Sequence, residues 1–63
     1  MKRLDLLRYI EAQGCRFIRE GGNHTVYFNP VERKISAIPR HREIDGFLVN
    51  KICKDLKIPS PKA

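Results

Sequence analysis

The sequence lacks the features that mark a cofactor-dependent enzyme or a disulfide-stabilised secreted protein. It has no tryptophan and only two cysteines, Cys15 and Cys53, which form no Cys-x-x-Cys pair. Neither a zinc site nor a disulfide framework is therefore expected, and the simplest interpretation is two reduced thiols in the core. A P-loop, a nucleophilic triad and a carboxylate pair are also missing. We expect a function that needs no metal and no cofactor.

Long hydrophobic runs are absent as well. No stretch approaches the roughly 7–15 apolar residues of a signal-peptide core or the ~20 residues of a membrane span. We therefore expect a soluble, cytoplasmic protein in a reducing environment, with no membrane partner.

What the chain has instead is positive charge. Its 63 residues include 13 Lys and Arg against 7 Asp and Glu, a formal net charge of +6. Such an excess attracts anions, so nucleic acid, an acidic protein surface or an anionic membrane are the candidate partners. The membrane is set aside because the second predicted helix has only three lysines on its polar face and no bulky aromatic in its apolar arc. The plainer interpretation is the lysine surplus of many soluble proteins. A chain of this length forms one small domain of marginal stability, which a partner protein could support.

The hydrophobic pattern predicts an α+β fold with the order α-β-β-β-α. Gly22-Asn23 is typical of a hairpin tip, and Asp45 is a suitable cap for the second helix. The expected layout is a three-stranded antiparallel sheet with two helices on one face and the other face open to solvent or a partner. The predicted segments are a helix at 3–13, strands at 15–20, 24–28 and 34–38, a helix after Asp45, and a flexible tail at 58–63.

This pattern does not determine on which face of the sheet His24 lies. One parity of the second strand carries His24, Val26 and Phe28, and the other carries Thr25 and Tyr27. The first strand is equally mixed. Because neither strand has one purely apolar side, either parity could face the helices.

His24 is the main candidate for chemistry, because a strand fixes it and the adjoining turn keeps it near solvent. Histidine changes protonation nearest neutral pH, and cations hold phosphates. A histidine among arginines could therefore move protons during RNA cleavage, with Arg19, Lys34 and Arg40 as the expected phosphate contacts. The alternative for a single histidine in a strand is a surface or hydrogen-bonded structural residue.

Four motifs stand in a characteristic order and spacing: Gly14-Cys15-x-Phe17-Ile18-Arg19, Gly22-Asn23-His24-x-x-Tyr27, Ile38-Pro39, and Gly46 opening a Leu48/Ile52-type helix. Together they resemble one known family, the HicA-type mRNA interferase toxins, over about residues 3 to 58.

The resemblance implies a double-stranded-RNA-binding-domain-like fold over a single toxin domain, residues 1–63. It also implies that Gly22 is the family's turn glycine and His24 its catalytic histidine. Tyr27 matches an aromatic that is common three positions later. Asn23 replaces the usual serine, and Phe47 stands where a threonine often follows the helix-opening glycine. On this basis Gly22, Asn23 and Tyr27 join the expected RNA-binding residues.

The function implied by the resemblance is that of a type II toxin–antitoxin toxin. Such a toxin is a metal-independent, ribosome-independent endoribonuclease that cleaves mRNA and arrests growth. Its partner is a HicB-type antitoxin, expected to be acidic and to cover the active face. Two alternatives remain, a non-catalytic RNA-binding module and a small basic protein-interaction domain.

Overall fold

A computed structural model describes residues 1–61 and confirms the predicted α+β architecture. The elements of this range are α1 (Arg3–Ala12), β1 (Arg16–Gly21), β2 (His24–Asn29), β3 (Lys34–Pro39) and α2 (Gly46–Asp55). The strands form one antiparallel sheet in the order β1-β2-β3, and one helix precedes them in sequence while the other follows.

Helix α1 ends at Ala12, one residue earlier than predicted, and Gly14 lies just past its end, as expected. Gly14 has a φ of +99°, the left-handed geometry that glycine adopts without a Cβ penalty. The Cys15 N–H donates to the Ile10 carbonyl at 3.0 Å, and the Gly14 N–H to the Glu11 carbonyl at 3.0 Å. These two bonds form a Schellman motif. Cys15 therefore belongs to the end of α1, and β1 begins at Arg16.

Helix α2 begins at the predicted cap. The Asp45 carboxylate accepts a hydrogen bond from the Leu48 N–H at 2.9 Å, which satisfies one of the unpaired donors of the first turn. The helix also ends in a Schellman arrangement, with Lys57 at a φ of 58° and the Ile58 N–H donating to the Cys53 carbonyl.

The core lies between the helices and one face of the sheet. Tyr27 and Ile38 supply the sheet side, and both are buried against side chains of the two helices. The two cysteines are free, buried thiols, as predicted, and burial raises the pKa of each. The buried core cluster comprises Leu6, Ile10, Cys15, Tyr27, Ile38, Ile44, Val49, Ile52, Cys53 and Leu56.

The segment predicted as a tail makes contacts at its beginning. Ile58 packs against the core, and the Tyr9 hydroxyl donates to the Pro59 carbonyl. Residues 62 and 63 of that prediction lie outside the described residues. Among residues 1–61, no helix is long and apolar enough to cross a membrane.

Candidate active site

His24 is the first residue of β2 and lies on the sheet face that the helices leave uncovered. It pairs with Gly21 of β1 and Pro39 of β3. Successive residues of a strand point to opposite faces. Tyr27, of opposite parity, lies in the core against the helices, whereas His24 is exposed. The alternation pattern left this point undecided, and the structure resolves it.

We call this uncovered surface the open face. It carries cationic and imidazole groups beside apolar ones, and Ile35 is 58% exposed there. By strand pairing and parity, its residues are Arg16, Arg19, Gly21, His24, Val26, Phe28, Ile35, Ala37 and Pro39.

A β-bulge in β1 determines where Arg19 points. Phe17 pairs with Tyr27, yet Arg19 pairs with the adjacent Val26, so Ile18 is the extra residue. In a regular strand Phe17 and Arg19 would share a face, and the bulge breaks that alternation. Phe17 stays on the helix side, its ring centroid 6.1 Å from that of Tyr27, while Arg19 turns onto the open face.

The guanidinium of Arg19 lies over Gly21, beside His24. A methyl group at Gly21 would be only 2.8 Å from Nη1 of Arg19, so the guanidinium occupies the space that a side chain there would fill. Gly21 is the cross-strand partner of His24. Because directly opposed Cβ positions are about 4.5–5.5 Å apart, a cation and an imidazole are neighbours on the open face.

The hairpin tip brings a second arginine to the same end of the sheet. Gly22 has a φ of 52°, which the tight reversal requires. The Arg40 N–H donates to the Asn23 carbonyl at 3.1 Å, and Nη1 of Arg40 is 2.7 Å from Oε2 of Glu20. Both side chains of this ion pair are about half exposed, so the pair contributes little stability, roughly 0–1 kcal/mol. A phosphate can therefore compete for Arg40.

Tyr27 lies on the opposite side of the sheet from His24. Its side chain is 4% exposed, and its hydroxyl donates to Oε2 of Glu11 at 2.5 Å. Burial, then the hydrogen bond and negative charge of Glu11, raises the pKa of Tyr27 to about 12. The structure thus places this expected RNA-binding residue in the core.

Lys34 lies at the other end of the sheet. It pairs with Asn29, whereas His24 pairs with Pro39. Five residues of strand separate the two positions, about 17 Å at ~3.4 Å per residue. The structure therefore does not bring Lys34 together with His24, Arg19 and Arg40.

Sequence reasoning did not single out Gly21 or Glu20 as site residues. Gly21 matters because the Arg19 guanidinium occupies its empty side-chain position, and Glu20 because it forms an ion pair with Arg40. A glycine two residues after an arginine in a strand is a weak signal for such an approach, since both then share a face. Within the described part of the chain, no group of three or more His, Cys, Asp or Glu side chains is placed to hold a metal ion.

Comparison with models of known protein families gives a match to this chain. The family model described as "HicA toxin of bacterial toxin-antitoxin" matches residues 4–58, which is most of the 63-residue chain. Searches of the curated proteins and of the solved structures gave no match. The matched range contains the hairpin, the bulge and all five secondary-structure elements except the first residue of α1. The chain belongs to the HicA toxin family.

Proposed function

We propose that this toxin is an endoribonuclease that cleaves mRNA in the cytoplasm, with His24 as general acid and base. The observation that carries the proposal is the exposed His24 on the open face with the Arg19 guanidinium over the adjacent Gly21. A proton-transfer group and a fixed cation side by side are what cleavage of a phosphodiester requires.

The chemistry uses the RNA's own nucleophile. The His24 imidazole removes the proton from a ribose 2′-hydroxyl, and that oxygen attacks the adjacent phosphorus. The bond from phosphorus to the 5′-oxygen of the next nucleotide then breaks, and imidazolium returns a proton to the leaving oxygen. The products are a 2′,3′-cyclic phosphate and a 5′-hydroxyl. General acid–base assistance of this kind contributes roughly 10²–10⁴ in rate.

Arg19 offsets the negative charge that develops on the phosphorane. Its planar guanidinium can donate two parallel hydrogen bonds to phosphate oxygens. The bulge before it turns the side chain onto the open face, and Gly21 leaves room for the guanidinium beside His24. The positive charge therefore lies next to the place where negative charge develops.

The other residues predicted to contact RNA fall into two groups according to their position in the fold. Arg40 and the Gly22-Asn23 tip lie at the His24 end of the sheet and are assigned to the RNA backbone. Tyr27 and Lys34 are left out of the RNA contact surface, because one is buried and the other is distant.

The partner protein proposed for this toxin is an acidic HicB-type antitoxin that covers the open face. The chain's charge of +6 and the 58% exposure of Ile35 on the open face support a partner with both acidic and apolar contacts. An antitoxin bound there would exclude RNA from Arg19 and His24.

Incubation of the purified protein with end-labelled RNA in EDTA tests the nuclease proposal. We expect cleavage to leave 2′,3′-cyclic phosphate ends, and a single 2′-deoxy substitution at the cleaved nucleotide to stop cleavage at that bond. RNA retardation without cleavage would instead indicate a binding module. Failure to retain RNA even at low salt would indicate a protein-interaction domain.

A further inference from the structure

A basic cleft lies at the same end of the sheet as His24. Its volume is about 520 Å³, within the ~300–1,000 Å³ range of ligand sites. Four of its five lining residues are cationic. They are Lys2, Arg3, Arg40 and Arg42, with Leu4 as the fifth.

Backbone pairing brings two distant parts of the chain together to form this basic cleft. The Arg3 N–H donates to the Arg42 carbonyl at 2.9 Å, and Lys2 and Glu43 form an antiparallel bridge. The start of α1 is thereby fixed against the segment between β3 and α2. Cations far apart in sequence consequently line one concavity.

A hydrogen-bonded network fixes two of the four cations. Nη2 of Arg3 donates to the Thr25 hydroxyl at 2.5 Å, and that hydroxyl donates to Oε1 of Glu20 at 3.0 Å. The other carboxylate oxygen of Glu20 holds Arg40 at 2.7 Å. Thr25 is 3% exposed, so the centre of the network is shielded from water. A guanidinium has five N–H donors, and each arginine therefore has donors left for a ligand.

The charge balance of the basic cleft favours an anion. Glu20 and Glu43 border this end of the sheet, but the four lining cations outnumber them. Arginine matches phosphate oxygens in a planar fork, and lysine adds a compact charge.

The basic cleft adjoins the candidate active site at this end of the sheet. Arg40 immediately follows Pro39, which is the β3 partner of His24, and the Arg40 backbone N–H donates to the carbonyl of Asn23, the residue before His24. The side chains of Arg3 and Arg40 bond to the cross-strand pair Thr25 and Glu20, whose parity is opposite to that of His24. A nucleic-acid strand that passes around this end of the sheet can therefore contact both His24 and the cleft, as strands follow positively charged grooves.

We propose that the basic cleft binds backbone phosphates of the same RNA strand whose scissile phosphate lies at His24. This inference rests on the proposed nuclease function and adds a substrate subsite to it. The alternative occupant is an acidic segment of the antitoxin, but the backbone link from Arg40 to the residues beside His24 favours RNA.

The test uses the full chain with both Lys2 and Arg42 neutralised, as the double variant Lys2→Gln/Arg42→Gln. The matched control, Arg8→Gln/Lys54→Gln, removes the same charge from exposed helix positions that do not line the cleft. The probe is an oligoribonucleotide with 2′-O-methyl groups at every position, which lacks the nucleophilic hydroxyl. Its affinity is measured as a function of salt, beside cleavage of unmodified RNA.

We expect the cleft variant to bind the probe about tenfold more weakly than the control at low salt. The slope of log affinity against log salt should fall by roughly 1.4, because each single-strand phosphate contact contributes about 0.7. In cleavage, KM should rise while kcat is retained, as expected for uniform binding.

Equal probe affinity, slope and KM in the cleft variant and the control would overturn the subsite. So would loss of antitoxin binding in the cleft variant with unchanged RNA affinity, which would assign the cleft to the partner protein. Failure of the nuclease proposal is separate, because it shows as absent cleavage by the unmodified protein, whatever the two variants do to probe binding.

Discussion

The two faces of the β-sheet differ in what they contribute to the protein. The covered face packs Tyr27 and Ile38 against two amphipathic helices and forms the core. The open face carries His24 and Arg19 beside exposed apolar groups such as Ile35. Strand alternation thus lets a six-residue strand contribute to the core with one parity and to the proposed active site with the other. Stability and activity should therefore respond to different substitutions.

The largest effect on stability should come from truncating the covered face. Ile38 is fully buried, so Ile38→Ala should lower the free energy of unfolding by about 2–5 kcal/mol. Ile35→Ala is a matched control on the same strand, 58% exposed on the open face, and should change it by no more than about 0.5 kcal/mol. Urea denaturation of both variants checks this. Equal losses would show that the two faces are not distinct in stability.

An intermediate effect is expected on activity when the Arg19 guanidinium is removed or displaced. Arg19→Ala should slow RNA cleavage by about 10–100-fold, the loss expected for one charge-assisted contact. Gly21→Ala should also slow cleavage, because its methyl group would meet the guanidinium at 2.8 Å and move it away from His24. Single-turnover cleavage rates provide the measurement.

Gly46→Ala is the control for that glycine substitution. A Cβ at Gly46 meets nothing within 4 Å, so activity should be unchanged. A Gly21→Ala protein that cleaves as fast as Gly46→Ala would show that the position of Arg19 does not matter.

The smallest effect concerns Tyr27, which links the covered face to α1. Its pKa is raised from 10.0 to about 12, mainly by burial and then by the Glu11 hydrogen bond. The unfolded chain loses this proton first, so folding stability falls as pH rises from 10 toward 12. Tyr27→Phe should cost about 0.5–1.5 kcal/mol near neutral pH, with little effect on cleavage.

The pH dependence distinguishes this account of Tyr27 from simple packing. Thermal unfolding of Tyr27→Phe above pH 10 should decline less steeply than that of the unmodified protein. Cys15 and Cys53 contribute to the loss of stability at high pH in both proteins, because burial raises the pKa of each thiol. Parallel declines would contradict a buried, hydrogen-bonded phenol.

The sequence predicts the architecture because local signals agree with one another. Gly14 and Asp45 mark helix ends, Gly22-Asn23 marks the hairpin, and helical spacing marks the apolar faces. The face of Arg19 could not be predicted, because the bulge at Ile18 breaks the strand's alternation and no glycine, proline or asparagine in β1 near Ile18 marks it in the sequence.

The candidate site was only partly predictable for a related reason. His24 follows the hairpin turn, and Arg40 follows the end of β3. Sequence signals locate turns and strand ends well, so both positions could be predicted. Tyr27 was expected at the RNA surface from resemblance alone, and its parity places it in the core. The basic cleft depends on a contact between Arg3 and Arg42, and no local pattern encodes a pairing of such long sequence separation.

The central claim, that the open face performs the chemistry through His24, is tested most directly by the cleavage rate of His24→Ala. His41→Ala is the matched control, since His41 is also exposed but lies between β3 and α2. We predict a rate loss of roughly 10²–10⁴ for His24→Ala, no loss for His41→Ala, and stability changes within about 0.5 kcal/mol in both. Cleavage by folded His24→Ala at the rate of the unmodified protein would contradict the account.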